Sequence, residues 1–185
     1  DGELYEEPGY LTDAITDDAL GFIETQADGG GPFYLSVNYT APHSPWIDNH
    51  PREIVDSYAD CPFDTIPRDP IHPWSVPGLA PEPESDRWRE QLKGYFAAVT
   101  AMDANIGRII DLLDRRGLRD DTLVVFLGDN GFSTGHHGLW GKGNSSFPLN
   151  MYDNSVLVPA IFNQPGRIAS GVLRSEMVSA IDFPH

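Results

Sequence analysis

The chain has 185 residues, 40% of them hydrophobic, which is enough for one substantial core, and no apolar run reaches the ~18 residues that a bilayer-spanning helix needs. Twelve basic residues against twenty-eight acidic ones give a net charge of −16, which argues against a nucleic-acid surface and against attachment to an anionic membrane. With Cys61 as the only cysteine, no disulfide can form within the chain and the redox compartment stays open.

The chain opens at Asp1 without an initiator Met and ends where 180–185 begin to read as a helix, so it is expected to be an internal piece of a longer protein. Leu11, Ile15, Ala19, Phe22 and Ile23 recur at helical spacing behind Asp13, Asp17 and Asp18, which suit the positive end of a helix dipole; the spacing predicts a helix over 12–26. Gly29-Gly30-Gly31 breaks it, and the apolar, β-prone run 32–38 reads as a strand of a parallel sheet leading to Pro42-His43-Ser44-Pro45. Residues 47–85, rich in Pro, Asp and Trp and without a period, are too long for an ordinary connection and read as a packed functional loop, a rim or a lid. Tyr95, Val99, Met102, Ile106, Ile109 and Leu113 make one apolar stripe on a helix over 87–116, with Gly117 at its C-terminal cap. A buried strand over 122–127 runs into Gly128-Asp129-Asn130-Gly131, and a third is expected over 158–162, where Pro159 confines it to an edge or to the strand start. Alternating helices and strands predict an α/β layer fold with a largely parallel sheet.

Ligands of open parallel sheets gather beyond the carboxyl ends of strands, and His43, Asp129-Asn130 and Lys142 all fall at such positions. Asp129 and Asn130 offer hard oxygen donors suited to Ca²⁺ or Mg²⁺, although Asp-Asn-Gly is equally a common turn sequence. In Gly135-His136-His137-Gly138-Leu139-Trp140-Gly141-Lys142-Gly143 a cation lies between two glycines, where it can meet a tetrahedral oxyanion or serve as a surface charge. His136 and His137 read as loop residues or as a transition-metal pair, and His43 as structural or functional. Trp46, Trp74 and Trp88 suit either a buried core or stacking on a sugar ring.

Three stretches together resemble the sulfatase family of the alkaline-phosphatase superfamily. They are 32–45, ending in Pro42-His43; the helix segment 95–107; and 122–142, with Asp129-Asn130-Gly131 and Gly141-Lys142-Gly143 in the family's order and approximate spacing. The resemblance implies an alkaline-phosphatase-like sandwich, a largely parallel central sheet flanked by helices and incomplete here, with 1–185 forming part of one catalytic domain interrupted by the loop at 47–85. It implies hydrolysis of a small-molecule or carbohydrate sulfate ester, with Asp129 and Asn130 ligating a divalent metal, usually Ca²⁺. Lys142 and His43 would be catalytic, the one contacting the sulfate and the other giving a proton to the leaving oxygen. His137 and His136 would bind substrate.

The family's nucleophile is a formylglycine made from the cysteine of a Cys-x-Pro/Ala-x-Arg segment. Cys61 does not match it, being followed by Pro62-Phe63-Asp64-Thr65, and neither Ser75 nor Ser170 heads a serine version. The nucleophile and the acidic metal ligands that accompany it are therefore expected upstream, and this piece alone is expected to be inert. Val156-Leu157-Val158-Pro159 also lacks the arginine that the family often has before Val-Pro. The rival readings are a phosphonate or phosphodiester hydrolase on the same scaffold, in which histidine often follows the aspartate where Asn130 stands, and a non-catalytic glycan-binding descendant.

Overall fold

The computed structural model describes residues 9–182, so the second half of the helix expected over 180–185 lies outside the described residues, and Ala180–Asp182 form a single 3-10 turn. The chain divides into two compact units, Asp1–Phe63 with Arg89–Leu118, and Asp64–Trp88 with Arg119–His185.

Two long helices build the first unit. Helix α1 spans Leu11–Gly29, and Gly30 ends it in a left-handed conformation (φ 68°), its N–H returning to Gln26 O. A short helix α2 covers Arg52–Asp56 inside the long loop. Helix α3 spans Asp86–Arg115, and its residues from Arg89 onward belong to this unit. It ends as Gly117 predicts: Gly117 takes φ 67°, its N–H bonds Asp114 O, and Leu118 N–H bonds Leu113 O at 2.8 Å, which together satisfy the last free carbonyls.

The buried faces are turned slightly from the expected stripes. In α1 the buried positions are Thr12, Thr16, Ala19 and Ile23, while Leu11 is exposed. Burying Thr16 is cheap because its hydroxyl donates to Thr12 O at 2.9 Å and pairs with Tyr39 Oη at 2.8 Å. In α3 the small residues Ala97, Ala98 and Ala101 are fully buried, and most of the larger stripe residues are half-buried. Asn105 donates to Asp13 at 2.7 Å, Arg108 pairs with Asp17, and Arg116 pairs with Glu24 at 3.1 Å and with Asp28. Those partners advance together along both helices, so α1 and α3 lie side by side and run in the same direction. Such exposed ion pairs contribute less than about 1 kcal/mol each. Burial of Ile23, Leu112 and Leu113 dominates.

Residues 31–40 fall in no helix or strand, with Phe33, Leu35, Val37 and Tyr39 half-buried and the residues between them exposed. The alternation is that of a strand, yet among the described residues this segment has no ladder partner, which corrects the expected first strand. Trp46 is buried against α3, where it meets Tyr95 edge-on at 6.0 Å.

The second unit carries the described ladders. Strand β1, Val124–Leu127, follows the expected run, and strand β4 is Ala160–Asn163, beginning just after Pro159. They pair in antiparallel register from Val124↔Asn163 to Leu127↔Ala160. The expectation of parallel pairing is thereby corrected for the strands described. Parallel neighbours need a long crossover, usually helical. Between β1 and β4 the chain instead folds as a small antiparallel ribbon, β2 (Ser133–Thr134) with β3 (Trp140–Gly141), and a single helical turn, α4 (Asp153–Val156). From residue 64 onward the Pro-rich loop packs on this ribbon. His72 N–H bonds Gly138 O at 2.9 Å, and Val76 N–H bonds Ser145 O at 2.9 Å.

Gly94 tests the packing of the first unit, because a Cβ there would collide with the Trp46 carbonyl. Gly94→Ala gains about 1 kcal/mol of helix propensity but forces backbone apart, at roughly 1–3 kcal/mol. It should therefore lower the urea midpoint, whereas Gly107→Ala, with open space around its Cβ, should raise it.

Candidate functional site

Five of the six expected site residues lie in the second unit and are held by its backbone. Strand β1 delivers the chain to Gly128-Asp129-Asn130-Gly131, whose path is fixed at both ends: Gly128 N–H bonds Pro159 O, and Gly131 N–H bonds Ser155 O, each at 3.2 Å. Gly131 has no substitute here, since a Cβ would run into the backbone of Asn154. Asp129 is exposed, and its Oδ1 accepts the N–H of Asn130 at 2.8 Å. Asn130 commits its amide nitrogen to Gly131 O at 2.9 Å, which leaves the carbonyl oxygen as its free polar atom.

Lys142 follows β3 and is half-buried. Its carbonyl accepts Ser145 N–H at 2.9 Å, starting a turn over Gly143–Ser145. Asn150 N–H bonds Gly143 O at 2.9 Å, and Asn150 Oδ1 accepts the Ser155 hydroxyl at 2.6 Å. Ser155 O in turn receives Gly131 N–H. One relay through Asn150 and Ser155 thus braces the Asp129-Asn130 turn and the Lys142 turn together. Neither Asp129 nor Lys142 forms an ion pair among the described residues, so both charges remain available to a ligand.

His136 and His137 occupy the turn between β2 and β3. His137 takes φ 58°, a costly conformation for a side-chain-bearing residue. It is held there from two sides, its N–H bonding Asp69 Oδ2 at 2.9 Å and its ring stacking on Tyr152 with centroids 3.9 Å apart. His136 is half-buried, and among the described residues its Nδ1 is buried without a partner. Burial lowers its pKa below the ordinary histidine value; His137 acts in the same direction and Asp69 opposes.

His43 belongs to the first unit. It is exposed, its N–H bonds Thr40 O at 2.9 Å, and its Nδ1 lies 2.9 Å from Ser44 O. A carbonyl only accepts, so Nδ1 carries the proton there and Nε2 is the nitrogen left to exchange one.

As oxygen donors, Asp129 and Asn130 suit a hard divalent cation such as Ca²⁺, which takes six to eight oxygens. Two donors are only part of such a shell, and the described residues hold no cluster of three or more His, Cys, Asp or Glu able to bind a metal. Cys61 is half-buried, its carbonyl accepting Arg89. Asp69, Asn150, Tyr152 and Ser155 escaped the sequence reading. Asp69 sits in an aperiodic Pro-rich stretch, and nothing in the order of residues ties it to a histidine 68 positions later.

The fold is the α/β fold of the sulfatases. The putative sulfatase yidJ from Bacteroides fragilis matches with a TM-score of 0.71 and 26% identity over 90% of this chain and 33% of that one. The family model described as Sulfatase matches residues 2–185, and the chain belongs to that family. It is similar to iduronate 2-sulfatase of Homo sapiens, 31% identical over 84% of this chain and 30% of that protein. It is equally similar to choline-sulfatase of Rhizobium meliloti, 31% identical over 80% of this chain and 30% of that protein. The chain thus spans about a third of the length of these relatives. Among the described residues no helix is long and apolar enough to cross a membrane.

The depressed pKa of His136, and that of His50, lowered chiefly by burial in the first unit, set a pH dependence. A histidine whose folded pKa lies below its unfolded value of about 6.5 binds fewer protons when folded. Its contribution to stability is then complete above that value and is lost as pH falls through and below it. The urea midpoint should therefore drop from pH 7.5 to 5, and His136→Gln should flatten the slope.

Proposed function

We propose that this chain supplies part of the catalytic domain of a sulfuric ester hydrolase, contributing the sulfate-binding lysine and two metal ligands. Membership of the family supports the reaction class. The observation that carries the residue assignment is the relay through Asn150 and Ser155, which braces together the two backbone turns bearing Asp129 and Lys142, neither of which forms an ion pair among the described residues.

In this reading Asp129 offers a carboxylate oxygen and Asn130 an amide carbonyl to a divalent cation, Ca²⁺ by resemblance, with further ligands from elsewhere in the complete protein. When bound, the cation supplies positive charge that polarises the sulfate oxygens. Lys142 presents its ammonium group to the sulfate and offsets the negative charge that grows in the transition state. Its half-burial strengthens that contact relative to a fully solvated lysine. His43, with Nδ1–H tied to Ser44 O, uses Nε2 to donate a proton to the departing oxygen. His137, fixed by Asp69 and Tyr152, and His136 beside it contact the substrate. The formylglycine that the resemblance implies fits no residue of this chain, since the sequence after Cys61 lacks the required arginine, and the proposal places it elsewhere in the protein.

In the complete protein, Lys142→Ala should lower kcat on p-nitrophenyl sulfate by roughly two to three orders of magnitude, the scale of one lost transition-state contact. His43→Ala should cost a comparable factor for sulfate esters with poor leaving groups and far less for p-nitrophenyl sulfate, because a good leaving group needs no proton. Near-normal turnover of p-nitrophenyl sulfate by Lys142→Ala, or of an ester with a poor leaving group by His43→Ala, at unchanged metal content would remove that residue from the mechanism.

The metal assignment has its own test. The 185-residue chain by itself should bind Ca²⁺ at best weakly, with Kd on the order of 10⁻³ M, because water must complete the shell. Asp129→Ala should abolish even that in calorimetry, and tight binding by the isolated chain would mean that the ligand set is wrong.

A further inference from the structure

The histidine turn carries backbone strain that a glycine would relieve. Gly135, His137 and Gly138 all have positive φ, at 111°, 58° and 67°, and glycine adopts such angles without steric cost. His137 adopts its angle at a cost. Two groups distant in sequence hold it there. Asp69 Oδ2 accepts the His137 N–H at 2.9 Å, and the Tyr152 ring lies on the imidazole with centroids 3.9 Å apart and planes 16° from parallel. The first contact secures the backbone of residue 137, and the second secures its side chain.

A stack occupies the faces of an imidazole and leaves its edge. Among the described residues neither ring nitrogen of His137 makes a hydrogen bond, and neither does the Tyr152 hydroxyl. Both nitrogens therefore stay available in the ring plane, and what Tyr152 supplies is its ring.

Tyr152 also stands in the segment that holds the rest of the site. Its carbonyl accepts Ser155 N–H at 2.7 Å at the start of α4. Ser155 O receives Gly131 N–H, and the Ser155 hydroxyl bonds Asn150, whose own N–H bonds Gly143 O beside Lys142. Gly143 has no room for a Cβ against Asn150 O. Residues 150–155 thus hold the Asp129-Asn130 turn and the Lys142 turn through hydrogen bonds, and the His137 imidazole through one aromatic face. Small displacements of a group that meets the substrate are costly in rate, so a ring with a fixed plane has a kinetic use.

We infer that Tyr152 is a positioning residue: its ring fixes the plane of the His137 imidazole relative to the frame that carries Asp129 and Lys142, so that His137 meets the substrate without reorganising. The inference rests on the sulfuric ester hydrolase reading above and on the substrate contact that reading gives His137. It adds a residue that acts through His137.

The test uses the complete protein and p-nitrophenyl sulfate. Tyr152→Leu should lower kcat/KM roughly tenfold, the scale of one lost aromatic contact. Tyr152→Phe keeps the ring and should stay near wild type. In a His137→Ala background, Tyr152→Leu should cost nothing further, because the contact through which it acts is already gone. The Ca²⁺ concentration for half-maximal activity should not move, since the bonds to Gly131 and Gly143 use none of the Tyr152 ring. A tenfold loss that persists without the His137 side chain, or a shifted Ca²⁺ requirement, would make Tyr152 merely structural and overturn the inference. So would an undiminished Tyr152→Leu enzyme. If the wild-type protein hydrolyses no sulfate ester, the reaction class fails, and histidine-labelled NMR decides the positioning separately. The His137 ring signal, assigned by its loss in His137→Ala, should be displaced upfield by the Tyr152 ring current in wild type and in Tyr152→Phe. It should return toward the ordinary histidine position in Tyr152→Leu. An undisplaced His137 signal in the wild-type protein, a measurement that needs no folded Leu variant, would overturn the inference.

Discussion

The contact between Gly131 and the backbone of Asn154 and Ser155 is the constraint on which the rest of the second unit depends. A side chain at 131 has no room, and the 131 N–H has its acceptor in Ser155 O. Because Ser155 also gives its hydroxyl to Asn150, whose N–H holds the turn after Lys142, the position of one glycine propagates to two charged groups. Charges that act on a substrate must be fixed before the substrate arrives, since an unfixed charge reorganises at the moment of reaction and loses most of its effect. Backbone bonds from a helical turn and a loop provide that fixation without a large core.

A similar economy holds the neighbouring histidine turn. A left-handed conformation at His137 costs on the order of 1 kcal/mol or more, and two contacts from distant parts of the sequence, Asp69 and Tyr152, offset it. Gly138 beside it admits the Pro70 carbonyl at a point where any side chain would collide. The Pro-rich loop is therefore a wall of the histidine turn.

The first unit rests on different physics. Its two long helices bury small residues and satisfied hydroxyls along α1 and α3, and charged pairs flank the seam at the surface. His43 emerges from a segment set by local bonds to Thr40 and Ser44.

The sequence by itself determined the features whose causes are local. Helical spacing placed α1 and α3 within about three residues, Gly117 marked a cap that forms as expected, and the run before Gly128 became β1. The stretches 32–45, 95–107 and 122–142, the last with Asp129-Asn130 and Gly141-Lys142-Gly143 in the order the family uses, were together enough to recognise its membership. Tertiary structure decided what local order does not encode. The buried line of α1 runs through Thr12 and Thr16 because Tyr39 supplies a partner for a buried hydroxyl. Strands β1 and β4 run antiparallel because the chain between them folds as a ribbon and a turn. Of the three tryptophans that suited either role, Trp46 and Trp88 became core and Trp74 stayed open, since burial depends on what the rest of the chain brings against a ring. Asp69 and Tyr152 reached His137 for the same reason: contacts between residues far apart in sequence leave no period behind them.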